Sequence, residues 1–173
     1  MTRYAAFLRG VNLGKRTVKS SELKAAFERL GFTNVKTLLA SGNVLFDAKA
    51  AKGLKTRIEA GLLEQFGFEV PTVLRSINEL KAMVAADPFG RQEGEDAKLY
   101  AMLFDESLPA SFKLSGVKND YDIKSMSPRE IFMIAYRKPD GSYSGGLLNI
   151  EKQLPRNALV TTRNWNTILK AIA

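Results

Sequence analysis

Residues 10 to 17, Gly-Val-Asn-Leu-Gly-Lys-Arg-Thr, put two glycines, an amide and two adjacent cations into one short stretch. That mixture suits a loop presenting backbone N–H groups and positive charge to phosphate. A Walker loop needs four residues between its glycines and Ser or Thr directly after the Lys, so that the hydroxyl reaches magnesium. Here Val11, Asn12 and Leu13 alone separate Gly10 from Gly14, and Arg16 follows Lys15. The stretch fails as a magnesium-nucleotide loop and retains the chemistry of anion contact. Arg9, Asn12 and Lys15 are the candidate ligands. The competing reading has Asn12 and the glycines shaping a turn while Arg9 and Lys15 stay solvated.

A second cluster, Thr161-Thr162-Arg163-Asn164-Trp165-Asn166-Thr167, reads as the opening of a helix, where exposed N–H groups and the positive dipole end attract anions. Arg163, Asn164 and Asn166 join the candidates, with capping as the structural alternative for the amides and a core position for Trp165. Ser41 and Asn43 flank Gly42 in a turn cluster. They are weaker candidates, because a hairpin turn asks only for residues tolerant of positive φ. Glu93, Glu95 and Asp96 are acids in a stretch of linker composition, more in keeping with solvation than with magnesium. No metal site and no cofactor are expected.

The chain has no Cys and no His. Disulfides, thiol nucleophiles, thiolate metal sites and the usual general base are thereby excluded. Carboxylates, Lys, Tyr, Ser and Thr remain for chemistry, but no segment carries a catalytic signature. The net charge is +8, with 13 basic and 6 acidic side chains in residues 1 to 75, 5 and 8 in residues 76 to 120, and 8 and 4 beyond. Two basic ends around an acidic middle suit an anionic partner, and equally a plain solubilising surface. The absence of an apolar leader after Met1, or of any run near the roughly 18 apolar residues a span requires, sets the expectation of a cytoplasmic protein away from membranes.

The elements that would hold these residues follow from periodicity. Residues 3 to 9 read as a buried strand. Leu23, Ala26, Phe27 and Leu30 form a helical stripe after Ser20 as cap and before Gly31. Val35 to Leu39 and Val44 to Phe46 read as a hairpin, Ala51 to Phe66 as a second helix stopped by Gly67, and Val70 to Leu74 as a strand. The order β-α-β-β-α-β is the split pattern of a ferredoxin-like unit. Ser76 and Glu79 make a capping box that starts a third helix ending at Asp87-Pro88. Residues 1 to 88 thus form a first half with a trailing helix, and 89 to 97 a linker. Residues 98 to 173 form a second α+β half: strand Leu99 to Phe104, short helix Pro109 to Leu114, strands Asp122 to Ser125 and Ile131 to Tyr136, helix Leu147 to Leu154, and a final helix with Trp165, Ile168, Leu169 and Ile172 on one stripe.

Taken together, LRGVNLG, LGFTNVKTLLASGNVLF, ADPF and TTRNWNT resemble family 1697 of the domains of unknown function over nearly the whole chain. The resemblance implies a two-part α+β protein of ferredoxin-like topology, and no assigned activity comes with it; the strand, helix and two adjacent strands of each half predict antiparallel sheets. This chain has Gly14-Lys15 where members often have Gly-Gly, and Ser144-Gly145-Gly146-Leu147 where they often have Ser-Lys-Leu. The leading expectation is a binder of a phosphate-bearing ligand, nucleotide or nucleic acid. The alternatives are an enzyme acting on a small anionic metabolite and an interaction module using an exposed sheet edge. RNA recognition on this strand order would need stacking aromatics on the sheet, for which Tyr4, Phe7 and Phe46 are the candidates.

Overall fold

The computed structural model describes residues 1–38, 42–90, 96–143 and 146–173, the side chains of 146–148 excepted. The chain divides into two compact units, one of Met1–Ala82 with Leu169–Ala173 and one of Met83–Ile168. It is an α+β protein with two four-stranded antiparallel sheets.

The first unit runs β1 (Thr2–Leu8), α1 (Ser20–Arg29), β2 (Thr33–Thr37), β3 (Asn43–Ala48), α2 (Leu54–Phe66) and β4 (Thr72–Ser76), followed by α3 (Ile77–Ala85). Its strand order is β2-β3-β1-β4, the split ferredoxin-like arrangement. The α1 stripe of Leu23, Ala26 and Phe27 and the α2 stripe of Leu54, Ile58 and Leu62 pack on Ala6, Leu8, Val44 and Phe46 of the sheet. Phe46 is the hub, with ring centroids 4.7 Å from Phe32 and 5.2 Å from Phe27. The alternate residues Ala5, Phe7, Leu45 and Val73 are buried as well, so β1 reads as a continuous apolar run rather than an alternating one. Phe7 and Phe46 are fully buried, and Tyr4 stacks on Phe46 at 5.7 Å.

Two local expectations hold and one shifts. Gly31 and Gly67 take the left-handed conformation after their helices, and the Gly67 N–H donates to Leu63 O at 2.8 Å. The Ser76–Glu79 capping box forms, with the Ser76 N–H donating to Glu79 Oε2 at 2.7 Å and the Glu79 N–H to Ser76 Oγ at 3.1 Å. Ser20, however, is the first helical residue rather than the cap. Lys19 takes the cap position, and its N–H donates to Glu22 Oε2 at 2.9 Å.

The second unit repeats the strand order as β6-β7-β5-β8, from β5 (Ala97–Phe104), β6 (Tyr121–Ser127), β7 (Glu130–Tyr136), α4 (Gly146–Gln153) and β8 (Val160–Asn164), with α5 (Trp165–Ile172) after it. The short helix expected at Pro109 to Leu114 is absent. That segment makes one turn, with the Phe112 N–H donating to Pro109 O at 2.9 Å, and is otherwise irregular. Phe112 and Leu114 both pack on the core of Met102, Phe104, Tyr121 and Ile131. Side chains two apart reach one face from extended chain, not from a helix.

Candidate functional site

The loop after β1 is fixed at both ends before it presents anything. The Leu8 N–H donates to Gly42 O at 2.8 Å and the Arg9 N–H to Pro71 O at 2.9 Å, tying the strand end to its two neighbours. Val11 and Val18 are buried in the core on either side of an exposed tip. Gly10 and Gly14 take φ of 73° and 63°, which a side chain would resist. Asn12 closes the loop, its Oδ1 accepting the Val18 N–H at 2.9 Å. This bond is the turn-shaping contact that the sequence allowed for Asn12.

What the loop frames is a groove against the end of α2. Arg9, Gly10, Leu13 and Arg16 of the loop line it, together with Leu63, Gly67, Phe68, Glu69 and Pro71. The left-handed Gly67 turns the chain so that Phe68 lies under Arg16, whose guanidinium carbon is 4.4 Å from the ring centroid. A guanidinium over an aromatic face is held by the ring quadrupole and keeps its donors at the edge. Arg9 is exposed on the same groove, and Lys15 is exposed on the loop tip. The sequence pointed to Arg9 and Lys15; it did not point to Arg16 or Phe68. The available signal was a repeated Gly-Phe pair after each helix, Gly31-Phe32 and Gly67-Phe68. Phe32 goes into the core while Phe68 is half-buried on the groove.

The second cluster departs from its expected form. Thr161 to Asn164 belong to β8, and the helix begins only at Trp165. Arg163 therefore lies in a strand, opposite Ala101, with its Nη1 donating to Thr162 O at 3.0 Å. Burial pushes its pKa down to about 10, which leaves it charged at neutral pH. Arg75 repeats this in the first unit, opposite Ala5, with its Nη1 donating to Leu74 O at 2.9 Å. The two strand-to-helix junctions match further: Ser76, Ile77 and Asn78 follow Arg75 as Asn164, Trp165 and Asn166 follow Arg163. An internal comparison of these segments would have found Arg75. Asn164 and Asn166 are exposed and line a second groove with Lys98 and Tyr100. Trp165 is half-buried, its ring 5.1 Å from Phe89 and 5.8 Å from Phe132 in edge-on contacts.

Of the remaining candidates, Asn43 is buried at the start of β3, opposite Phe7, and its backbone carbonyl accepts the Leu38 N–H at 3.0 Å. Ser41 lies outside the described residues, as do Glu93 and Glu95. Asp96 is exposed, 3.8 Å from Arg137. Among the described residues no group of three acids stands together as a metal site, and no helix is long and apolar enough to cross a membrane.

Comparison with known proteins gives a family and a fold. The profile of the family described as "Protein of unknown function (DUF1697)" matches residues 1–132. No curated protein matches. Among solved structures, the conserved bacterial protein SP0830 from Streptococcus pneumoniae is similar at 23% sequence identity and a TM-score of 0.73, covering 99% of this chain and 96% of that one. At that identity the likeness concerns the fold.

Proposed function

The chain belongs to the DUF1697 family of proteins of unknown function, and from the groove itself we propose that it binds a phosphate-bearing ligand through Arg9 and Arg16, with Lys15 contributing long-range attraction. The observation that carries this reading is the convergence of Arg9 and Arg16 on one groove, the second held over Phe68 at 4.4 Å. Arginine presents a planar fork of donors that matches two phosphate oxygens at once. Anchoring its guanidinium on an aromatic ring before the ligand arrives reduces the side-chain entropy lost on binding. Asn12 takes part indirectly by holding the loop through Val18.

The burial of Phe7 and Phe46 argues against sheet-face recognition of RNA and leaves a small phosphate compound as the favoured ligand. Calorimetric titration with AMP and with inorganic phosphate, at fixed ionic strength, tests the proposal. Binding that weakens at least about tenfold in an Arg9→Gln, Arg16→Gln double variant of unchanged circular dichroism supports it; tenfold corresponds to ~1.4 kcal/mol. Equal affinity in wild type and variant overturns it.

A further inference from the structure

Resting on the reading that the groove binds phosphate, we infer that its ligand is a small phosphate monoester with a flat apolar body, the class that contains aryl phosphates and nucleoside monophosphates. Two observations beyond the arginines carry this. The first is apolar exposure inside a concavity. Leu13 is 67% exposed and Leu63 44% exposed, and both line the groove beside Phe68 and Pro71. A purely ionic ligand would leave these surfaces wet, whereas an apolar body laid between them releases that water.

The second observation is the acid among the cations. Glu69 lines the same groove as Arg9 and Arg16, so a carboxylate stands beside the guanidiniums. A phosphate monoester, carrying about −1.5 to −2 at pH 7, presents its charge at one point that the guanidiniums can meet. A triphosphate or a nucleic-acid backbone would set further anionic groups against Glu69, where like charges repel. The groove thus favours one phosphate and an apolar body over a track of phosphates.

Calorimetry on the full chain with a panel of probes separates the possibilities. AMP and 1-naphthyl phosphate are expected to bind about tenfold or more tighter than inorganic phosphate and ribose 5-phosphate, with ATP no tighter than AMP. A Leu13→Ser, Leu63→Ser variant, altered only at exposed positions, should bring AMP and 1-naphthyl phosphate down to the affinity of ribose 5-phosphate and leave inorganic phosphate unchanged. Equal affinities across all monoesters, lost together in the Arg9→Gln, Arg16→Gln variant, would overturn the apolar-body inference and leave phosphate binding standing. Tighter binding of ATP or of a single-stranded oligonucleotide than of AMP would also overturn it. Failure of every phosphate compound to bind would remove both the inference and the reading beneath it.

Discussion

β1 and β5 hold the same central place in their sheets, yet the chain leaves them differently. After β1 it runs through a loop pinned by Val11, Val18 and the Asn12–Val18 hydrogen bond, then enters α1. After β5 it stays irregular until β6, packing Leu108, Phe112 and Leu114 on the core. The strand order is common to both sheets, and every neighbouring pair in them is antiparallel. The connection is free to diverge, and in the first unit it carries the arginine-rimmed groove. With the sheet kept and the loop after the first strand varied, one copy carries the proposed groove and the other carries packing.

The sharpest way to break the comparison is through the aromatic clusters. In the first unit Phe46 is fully buried between Phe27 and Phe32. In the second, Trp165 meets Phe89 and Phe132 edge-on and remains half-buried. Phe46→Ala is expected to cost about 4 kcal/mol and Trp165→Ala about 3 kcal/mol, as large side chains leave packed sites. Urea unfolding of each variant measures this. A Trp165→Ala protein as stable as the wild type would make Trp165 a surface aromatic, and the second groove would then gain interest as a site.

Two glycines offer a finer contrast. A Cβ at Gly116 would stand 2.5 Å from the carbonyl oxygen of Tyr121 and 2.8 Å from Cα of Asp122, both backbone atoms. A Cβ at Gly61 would meet Leu30 Cδ2 at 2.8 Å, the tip of a side chain that can turn aside. Gly116→Ala should therefore destabilise by about 2 kcal/mol, in the range of overpacked sites, while Gly61→Ala costs less and regains helix propensity. The reverse order in thermal unfolding would mean that the 115–121 turn yields more readily than the helix pair.

A smaller effect is expected at Asn12. Asn12→Ala removes the acceptor for the Val18 N–H and should cost about 1 kcal/mol, the typical net worth of such a bond. Hydrogen exchange at the Val18 amide should quicken while the β1 and β3 amides stay protected. Unchanged exchange at Val18 would show that the buried valines hold the loop alone.

How much of this was legible in the sequence depends on range. The α1 and α2 stripes, the left-handed glycines after them and the Ser76–Glu79 box are local patterns, and they formed as expected. The antiparallel β2–β3 pair was legible because a short turn allows nothing else. Pro109 to Leu114 misled, since Leu108 and Phe112 are spaced as on a helix while Leu114 is not, and all three pack on the core from one turn and irregular chain. Arg163 misled because a run of Thr and Asn reads as a cap, whereas pairing with β5 keeps it extended. The contact of Arg16 with Phe68 joins residues 52 positions apart, and no local rule connects them. The glycines and cations of the loop were visible; the ring beneath them was not.

The smallest predicted effect compares one carboxylate from each unit. Asp47 on β3 accepts from the Asn34 amide at 2.6 Å and from Arg3 Nη1 at 2.8 Å, bridging β2, β3 and β1. The Asn34 hydrogen bond first, and Arg3 second, hold its pKa below the ordinary carboxylate value. Asp140 is held low by the Ser142 hydroxyl and then by the Ser142 N–H, in a turn on the surface. For a carboxylate with a depressed folded pKa, the stabilisation is fully present above its unfolded pKa, about 4, and is lost as pH falls through the folded value. Stability measured in urea should therefore decline from about pH 4 downward. The Asp47→Asn variant should flatten that decline more than Asp140→Asn, because Asp47 joins three strands while Asp140 orders one turn. Both contributions are small: Asp140 lies on the surface, and the Asp47 carboxylate, 20% exposed, pairs with an Arg3 that solvent reaches. An acid limb unchanged by Asp47→Asn, or changed more by Asp140→Asn, would mean that the Arg3–Asp47–Asn34 bridge does not persist in solution and that the turn is the more rigid of the two.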